Sequence, residues 1–134
     1  MNYLIDTNIY VGFLRNGTFH KTIEDLYSFQ APRIYFSSVV VQELLAGAIG
    51  KKGRDNVEYL YRPFERVGRI IIPSFKAWKN AGNILSTIRQ NRKDLKSKMS
   101  LILNDTLIAI SAKNIGAKVY TSNADDFQVI SRIK

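Results

Sequence analysis

YLIDTN, at residues 3–8, combines a short β-prone run with an acid at its end and two polar residues after it. The apolar stretch from Ile9 to Leu14 that follows has helical character. A short strand joined directly to a helix is the repeating unit of α/β proteins with parallel sheets. The stretch therefore predicts the first strand and helix of such a domain, with Asp6 at the carboxyl end of the strand.

Strands and helices alternate along the rest of the chain. Further strands are predicted at residues 33–36, 69–72 and 117–120, with a short last one within residues 127–133. Helices are predicted at residues 20–29, 39–48, 55–67, from Ser74 onward, and at 101–114. The strands are apolar throughout, as parallel strands covered on both faces are. We therefore expect one α/β domain, residues 1–134, whose parallel sheet is flanked by helices.

Further local predictions concern the helices and their ends. Residues 51–54 are predicted to form a polar turn, and Ser100 is predicted to cap the helix that follows it. A helical face is predicted to carry Trp78, Ala81, Leu85 and Ile88. Ser37 or Ser38 is expected to cap a helix, and His20 is expected at the surface.

The composition narrows the classes of function. The 134 residues include 20 Lys and Arg against 11 Asp and Glu, a net charge of +9 that favours a polyanionic partner, above all nucleic acid. There is no cysteine and one histidine, which excludes a disulfide scaffold, thiolate zinc sites and thiol catalysis. Neither a secretory signal nor an apolar run of membrane-spanning length is present, so we expect a cytoplasmic protein without membrane contact.

Several of the acids fall at positions typical of a site. Asp6 ends the first predicted strand, and Asp125 and Asp126 follow the fourth, at the edge where open parallel sheets bind ligands. Glu43 and Asp105 interrupt apolar helical stretches, where a carboxylate is costly unless a cation or donor pairs with it. Gathered together, these side chains would form an all-oxygen pocket suited to Mg²⁺. In a basic protein such a pocket suggests phosphodiester chemistry.

Each acid also has a structural explanation when it is taken alone. Asp6 would cap the helix that follows it, and Glu43 and Asp105 would form ordinary salt bridges at the rim. Asp125 and Asp126 would be turn residues. The combination of the acids, rather than any single one, favours a functional site.

Four motifs in order resemble those of the PIN-domain ribonucleases, most closely the VapC-type toxins of type II toxin–antitoxin modules. The motifs are LIDTN at residues 4–8, VQELLAG at 41–47, NDTLIA at 104–109 and TSNADDF at 121–127. Each motif alone has little specificity, but their order and spacing agree across the whole chain. The resemblance implies a Rossmann-like PIN fold for the chain.

The resemblance also implies a set of site residues and a metal-dependent reaction. Mg²⁺ or Mn²⁺ would be bound by the acidic quartet, and RNA would be hydrolysed by metal-activated water; the quartet carried over by motif position is Asp6, Glu43, Asp105 and Asp126. Asn8 and Thr121 would give polar support. Relatives have Asp or Asn where Asn123 stands, so the fourth ligand is Asp126, Asn123 or Asp125, in that order of preference.

The resemblance further implies a cognate antitoxin and a homodimer. Three alternatives stay open: a PIN-fold nuclease of RNA processing outside a toxin module, an inactive PIN fold that only binds RNA, and a non-catalytic Mg²⁺-binding regulator of receiver type. A receiver requires adjacent acids after the first strand and an acid after a middle strand. Here Asn8 follows Asp6-Thr7, and residues 69–73 contain no Asp.

A basic segment, residues 89–98, is the one compositional shift along the chain. It is a candidate surface for RNA phosphates, and the alternative is a solvated, charged helix end. The cations concerned are Arg89, Arg92, Lys93, Lys96 and Lys98.

Overall fold

The computed structural model describes residues 2–29 and 33–122, and this part of the chain holds a four-stranded sheet with helices packed around it. The predicted last strand, together with Asn123, Asp125 and Asp126, lies outside the described residues. In chain order the elements are β1 (Asn2–Ile5), α1 (Thr7–Asn16), α2 (His20–Phe29), β2 (Ile34–Ser37), α3 (Ser38–Ala46), α4 (Gly50–Arg66), β3 (Ile70–Ile71), α5 (Phe75–Asn91), a 3₁₀ helix (Lys93–Lys98), α6 (Met99–Asn114) and β4 (Ala117–Tyr120).

The sheet is parallel and has the strand order β3-β2-β1-β4. β1 pairs on one side with β2, where Tyr3 faces Ile34, and on the other with β4, where Ile5 faces Tyr120. The predicted α/β class with a parallel, helix-flanked sheet is confirmed. Because β1 is an inner strand, the residue that follows it emerges in the middle of the sheet's carboxyl edge.

The core lies between the sheet and the helices that cover it. Leu4, Ile34 and Phe36 are fully buried on the inner strands, and Tyr10 of α1 stacks on Phe36 with ring centroids 4.8 Å apart. Burying apolar surface of this kind supplies about 25 cal/mol per Å² and is the main favourable contribution to folding. Among the described residues, no helix combines the length and the apolar character needed to cross a membrane.

Serine side chains begin two of the helices, as their positions before apolar stretches predict. The Val39 N–H donates to Ser37 Oγ at 3.1 Å at the start of α3, and the Ala77 N–H donates to Ser74 Oγ at 3.1 Å at the start of α5. Each bond satisfies a backbone donor that the first turn of a helix leaves unpaired.

Two of the predicted helix boundaries are wrong. Residues 51–54 are not a turn but belong to α4, because three of the four are Lys or Arg, which are good helix formers, and they extend the helix that buries Val57 and Leu60. Ser100 does not cap α6, because the helix continues from the 3₁₀ helix and already begins at Met99.

The predicted face of α5 is confirmed at Ala81 and Ile88, and Leu85 packs against the core as a partly buried side chain, but Trp78 does not belong to this face. Ala77, Ala81, Ile84 and Ile88 are buried, whereas Trp78 is 51% exposed. α5 packs against α6, and its buried face carries the small side chains of Ala77 and Ala81 rather than tryptophan. Placing Trp78 on the packed face was therefore wrong.

The direction of α6 determines which of its ends lies near the sheet's carboxyl edge. Only Ile115 and Gly116 separate α6 from β4, and the Asn2 side chain donates to the Ile115 carbonyl at 2.9 Å. The C-terminal end of α6 therefore lies beside the start of β1. Since α6 runs antiparallel to the strands, its first turns lie towards the carboxyl edge, where β1 ends.

Candidate active site

Asp6 is a buried carboxylate at the carboxyl edge of the sheet, with 2% of its surface exposed. It is the N-cap of α1, and its Oδ1 accepts a hydrogen bond from the Thr7 N–H at 2.8 Å. Its Oδ2 accepts from the Thr121 hydroxyl at 2.8 Å, and its own N–H donates to the Tyr120 carbonyl at 2.8 Å. The Asp6 side chain therefore caps α1, as its position in the sequence predicts. It is also held between the ends of β1 and β4.

Thr7 links the first acid to the second. Its hydroxyl donates to Oε1 of Glu43 at 2.6 Å, while its backbone N–H donates to Oδ1 of Asp6. Glu43 is half-buried on α3, which packs against α1. Thr7 has no role among the predictions from the sequence. The available signal is its place directly after a capping acid, in the first turn of a helix that starts at the sheet edge.

Asn8 lies one residue further along α1 and reaches the segment after β4. Its Oδ1 accepts a hydrogen bond from the Ser122 N–H at 3.3 Å. Together with the bond from Thr121 to Asp6, this contact joins the residues that follow β1 to those that follow β4. The edge is thus tied together across two strands that are neighbours in space and distant in the chain.

Asp105 lies on α6 and is 8% exposed. α6 packs against β1 and α3, the two elements that place Asp6 and Glu43. Within residues 2–29 and 33–122, however, no group of three or more acidic or histidine side chains could hold a metal ion. The structure thus brings Asp6 and Glu43 together through Thr7 and places Asp105 on a helix next to both elements. Asp126, Asn123 and Asp125 lie outside the described residues.

The donor set at this edge fits a hard divalent cation. The groups are carboxylate and hydroxyl oxygens, which Mg²⁺ and Mn²⁺ prefer over softer ligands. The single imidazole is placed elsewhere: His20 is exposed at the start of α2 and pairs with Glu24 at 3.1 Å. The edge therefore offers carboxylate and hydroxyl oxygens as ligands, without an imidazole among the described residues.

The basic segment is exposed and lies between α5 and α6. Arg92 donates from Nε and Nη2 to the two carboxylate oxygens of Asp94, at 3.1 and 3.0 Å. These hydrogen bonds hold the pKa of the Asp94 carboxyl below its usual value and raise the pKa of Arg92. Arg89 lies in the last turn of α5, and Lys93, Lys96 and Lys98 project from the 3₁₀ helix as exposed side chains.

Known proteins share both the sequence pattern and the fold of this chain. The family model described as PIN domain matches residues 3–133. Ribonuclease VapC1 of Haemophilus influenzae (strain R2866) is 26% identical over 137 residues, which cover all of this chain and 96% of that protein.

Two solved structures are similar over nearly their whole length. VapBC-1 from nontypeable Haemophilus influenzae superposes with a TM-score of 0.68 at 24% identity, covering 98% of this chain and 94% of that one. VapBC2 from Rickettsia felis, bound to a DNA fragment from their promoter, has a TM-score of 0.60 at 25% identity, with coverages of 96% and 92%. With its four motifs in order, its parallel sheet and a family model matching nearly every residue, this chain belongs to the PIN domain family.

Proposed function

We propose that this protein is a metal-dependent endoribonuclease that hydrolyses RNA phosphodiester bonds and serves as the toxin of a type II toxin–antitoxin module. The observation that carries the proposal is the buried Asp6 carboxylate, held in the middle of the sheet's carboxyl edge by Thr7 and Thr121. Membership of the PIN domain family and the likeness to a relative named Ribonuclease VapC1 support the reaction class.

The proposed ligands of Mg²⁺ or Mn²⁺ are the acidic quartet of Asp6, Glu43, Asp105 and Asp126. When bound, such an ion offsets negative charge at the reacting phosphate and lowers the pKa of water, so that water becomes a nucleophile at neutral pH. No covalent intermediate with the protein is required. The net charge of +9 favours approach of the polyanionic substrate.

The chain's own residues would act by holding the carboxylates in position. The Thr7 N–H and the Thr121 hydroxyl are neutral donors, so they orient Asp6 without cancelling its charge. The Thr7 hydroxyl orients one oxygen of Glu43 in the same way. Carboxylates that are oriented before the substrate binds stabilise a transition state electrostatically more effectively than carboxylates that must reorient.

Cleavage of total RNA by the purified protein tests the proposal. We expect degradation with Mg²⁺ or Mn²⁺, none with EDTA, and none by the Asp6→Asn variant in the presence of metal. Asparagine is as good an N-cap as aspartate, so the start of α1 and the fold are expected to persist in this variant. Circular dichroism of the variant provides the control, and cleavage by Asp6→Asn at the wild-type rate would contradict the assignment.

We also propose a cognate antitoxin as a protein partner and a homodimer as the assembly. The two similar solved structures described above are of VapBC-1 and VapBC2, the second of them bound to a DNA fragment. Co-expression with the product of a small neighbouring reading frame should relieve growth arrest caused by this chain and yield a co-purifying complex. Growth arrest that no neighbouring product relieves would favour a PIN nuclease outside a toxin module, and light scattering of the purified chain tests the dimer.

A further inference from the structure

The basic segment is a structured surface rather than a free loop. Its 3₁₀ helix, Lys93–Lys98, packs against both α5 and α6, and Leu95 is the partly buried side chain that anchors it on the core. The three lysines at positions 93, 96 and 98, which we call the lysine tract, are exposed. Their backbone is therefore held in place while their ammonium groups stay in solvent.

The lysine tract lies on the side of the molecule where the proposed active site lies. The tract leads directly into α6, whose first turns lie towards the sheet's carboxyl edge. Asp105 is six residues beyond Met99, which corresponds to about 9 Å along the helix axis. A phosphate backbone whose scissile bond reached Asp6 and Asp105 would have neighbouring phosphates within reach of flexible lysine side chains.

Arg92 differs from the lysines because its guanidinium group is already engaged. Two parallel hydrogen bonds to Asp94, at 3.0 and 3.1 Å, use the bidentate geometry with which arginine otherwise binds phosphate. Asp94 therefore occupies the position that a phosphate group would take on Arg92. The lysines are exposed and form no salt bridge among the described residues, although the charge of Lys98 adds, after the Arg92 hydrogen bonds, to lowering the pKa of Asp94.

We propose that the lysine tract binds the RNA phosphate backbone next to the catalytic edge, and that Asp94 withholds Arg92 from the same backbone. The proposal rests on the proposed function and names a substrate-binding surface for it. The segment carries five cations and one acid, so its like charges repel one another when no anion is present. Bound phosphates relieve this repulsion and release counterions, which makes the binding depend steeply on salt.

Equilibrium binding of a fluorescent single-stranded RNA, measured in EDTA at several salt concentrations, tests the lysine tract without requiring catalysis. Replacing all three lysines by glutamine should weaken binding for unrelated RNA sequences alike. It should also flatten the plot of log affinity against log salt by about 2, because each lost contact to single-stranded RNA removes about 0.7 from the slope. An unchanged slope overturns the proposal.

A matched control separates this surface from net charge alone. Lys76, Lys79 and Lys113 are exposed on the first turns of α5 and the last turn of α6, away from the basic segment. Replacing these three by glutamine removes the same net charge, and we expect the salt slope to stay within about 0.5 of the wild-type value. Equal flattening in both triple variants would show a diffuse charge effect and would overturn a specific tract.

Asp94→Asn tests the second part of the proposal. Asparagine keeps the size of the side chain but no longer holds the guanidinium by charge, so Arg92 becomes available to phosphate. We expect tighter RNA binding and a salt slope steeper by about 0.7. Binding that is unchanged or weaker overturns the withholding role of Asp94.

The outcome for the lysine tract is distinguishable from the outcome for the proposed function. If the wild type cleaves RNA with metal and the triple-lysine variant binds RNA unaltered, the role of the lysine tract is contradicted and the proposed nuclease function stands. If the wild type does not cleave RNA, the proposed nuclease function is contradicted, and the binding assay in EDTA still decides whether the lysines contact RNA. Thermal unfolding of every variant verifies that these exposed substitutions leave the fold intact.

Discussion

The carboxyl edge of the sheet and the basic segment carry their charged groups in different environments. At the edge, Asp6 is buried and its two oxygens accept hydrogen bonds from α1 and from the residue that follows β4. In the basic segment, the charges are exposed, and the ion pair of Arg92 with Asp94 joins residues two apart in the chain. The edge thus depends on the tertiary structure, whereas the segment depends mainly on the local order of its residues.

This difference determines how each region responds to substitution. A buried carboxylate interacts with its donors in a medium of low effective dielectric, so changing it alters function or stability strongly. An exposed ion pair is screened by water and salt, and its effect on stability is small. The segment can still act on a polyanion, because several weak charges act on it together.

After the loss of cleavage in Asp6→Asn, the largest effect is expected from Asp105→Asn at the edge. If Asp105 holds the metal ion, its loss should reduce RNA cleavage by about 100- to 1000-fold, which corresponds to several kcal/mol of transition-state stabilisation. Mg²⁺ or Mn²⁺ should also raise the unfolding free energy of the wild type, by roughly 1.4 kcal/mol at ten times its dissociation constant, and that of the variant by much less. Equal metal responses in the two proteins would make Asp105 a structural residue.

A buried polar pair outside the proposed site separates the effect of burial from that of function. The hydroxyls of Tyr10 and Tyr27 lie 3.1 Å apart, and burial raises the pKa of Tyr27 to about 12 and that of Tyr10 well above its usual value. The folded protein therefore keeps protons that the unfolded chain releases near pH 10. Its unfolding free energy should fall as the pH rises from 10 to 12, and should be insensitive to these groups below pH 10.

Tyr27→Phe should remove about 2 kcal/mol of this alkaline loss of stability, because one of the retained protons is no longer present. Denaturant unfolding at a series of pH values measures the effect. Tyr59→Phe is the matched control, since Tyr59 is 84% exposed and its substitution removes one tyrosine hydroxyl outside the pair. A pH profile of Tyr27→Phe identical to that of the wild type would contradict the account.

Thr7→Val should have an intermediate effect, because it deletes the hydroxyl that orients Glu43 and keeps the backbone N–H that bonds to Asp6. We expect a loss of about 1 kcal/mol in stability and about a tenfold loss of RNA cleavage. Thr87→Val serves as the control, since the Thr87 hydroxyl bonds to the Asn83 carbonyl within α5. Equal losses of cleavage in the two variants would show that Thr7 has no special role at the edge.

The smallest effect on stability is expected from Asp94→Asn in the basic segment. The ion pair that it removes is exposed, so the thermal midpoint should change less than it does in Thr7→Val, and added salt should reduce even that change. Thermal unfolding at low and high salt measures both. A shift larger than that of Thr7→Val would mean that the segment is as dependent on tertiary structure as the edge.

Elements with clear breakers and periodicity were predictable from the sequence. α2 and β4 have the predicted bounds, because Gly17 precedes the first and Gly116 the second in left-handed conformations that favour glycine. The buried face of α5 was not predictable, since Ala77 and Trp78 both belong to helical apolar stripes that include Ala81 and Ile88. Only the close packing of α5 on α6 decides between the small residue and the large one.

The candidate acids could be named from the sequence, but their arrangement could not. The pattern of strand ends, with the resemblance of four motifs, pointed to Asp6, Glu43 and Asp105. The bond from Thr7 to Glu43 depends on where α3 lies against α1, which no local pattern specifies. The difference between Arg92 and the lysines was likewise hidden, because composition counts cations without showing which of them already has a partner.

The pairing of β1 with β4 has a consequence for biosynthesis. The hydrogen bond between Thr121 and Asp6 joins residues 115 apart in the chain. β1 can pair with β4 only after β4 has been synthesised. Contacts so distant in sequence form slowly and late in folding. During translation, Asp6 is synthesised near the beginning but acquires this partner only once residue 121 has emerged from the ribosome. A partly synthesised chain therefore lacks the assembled edge.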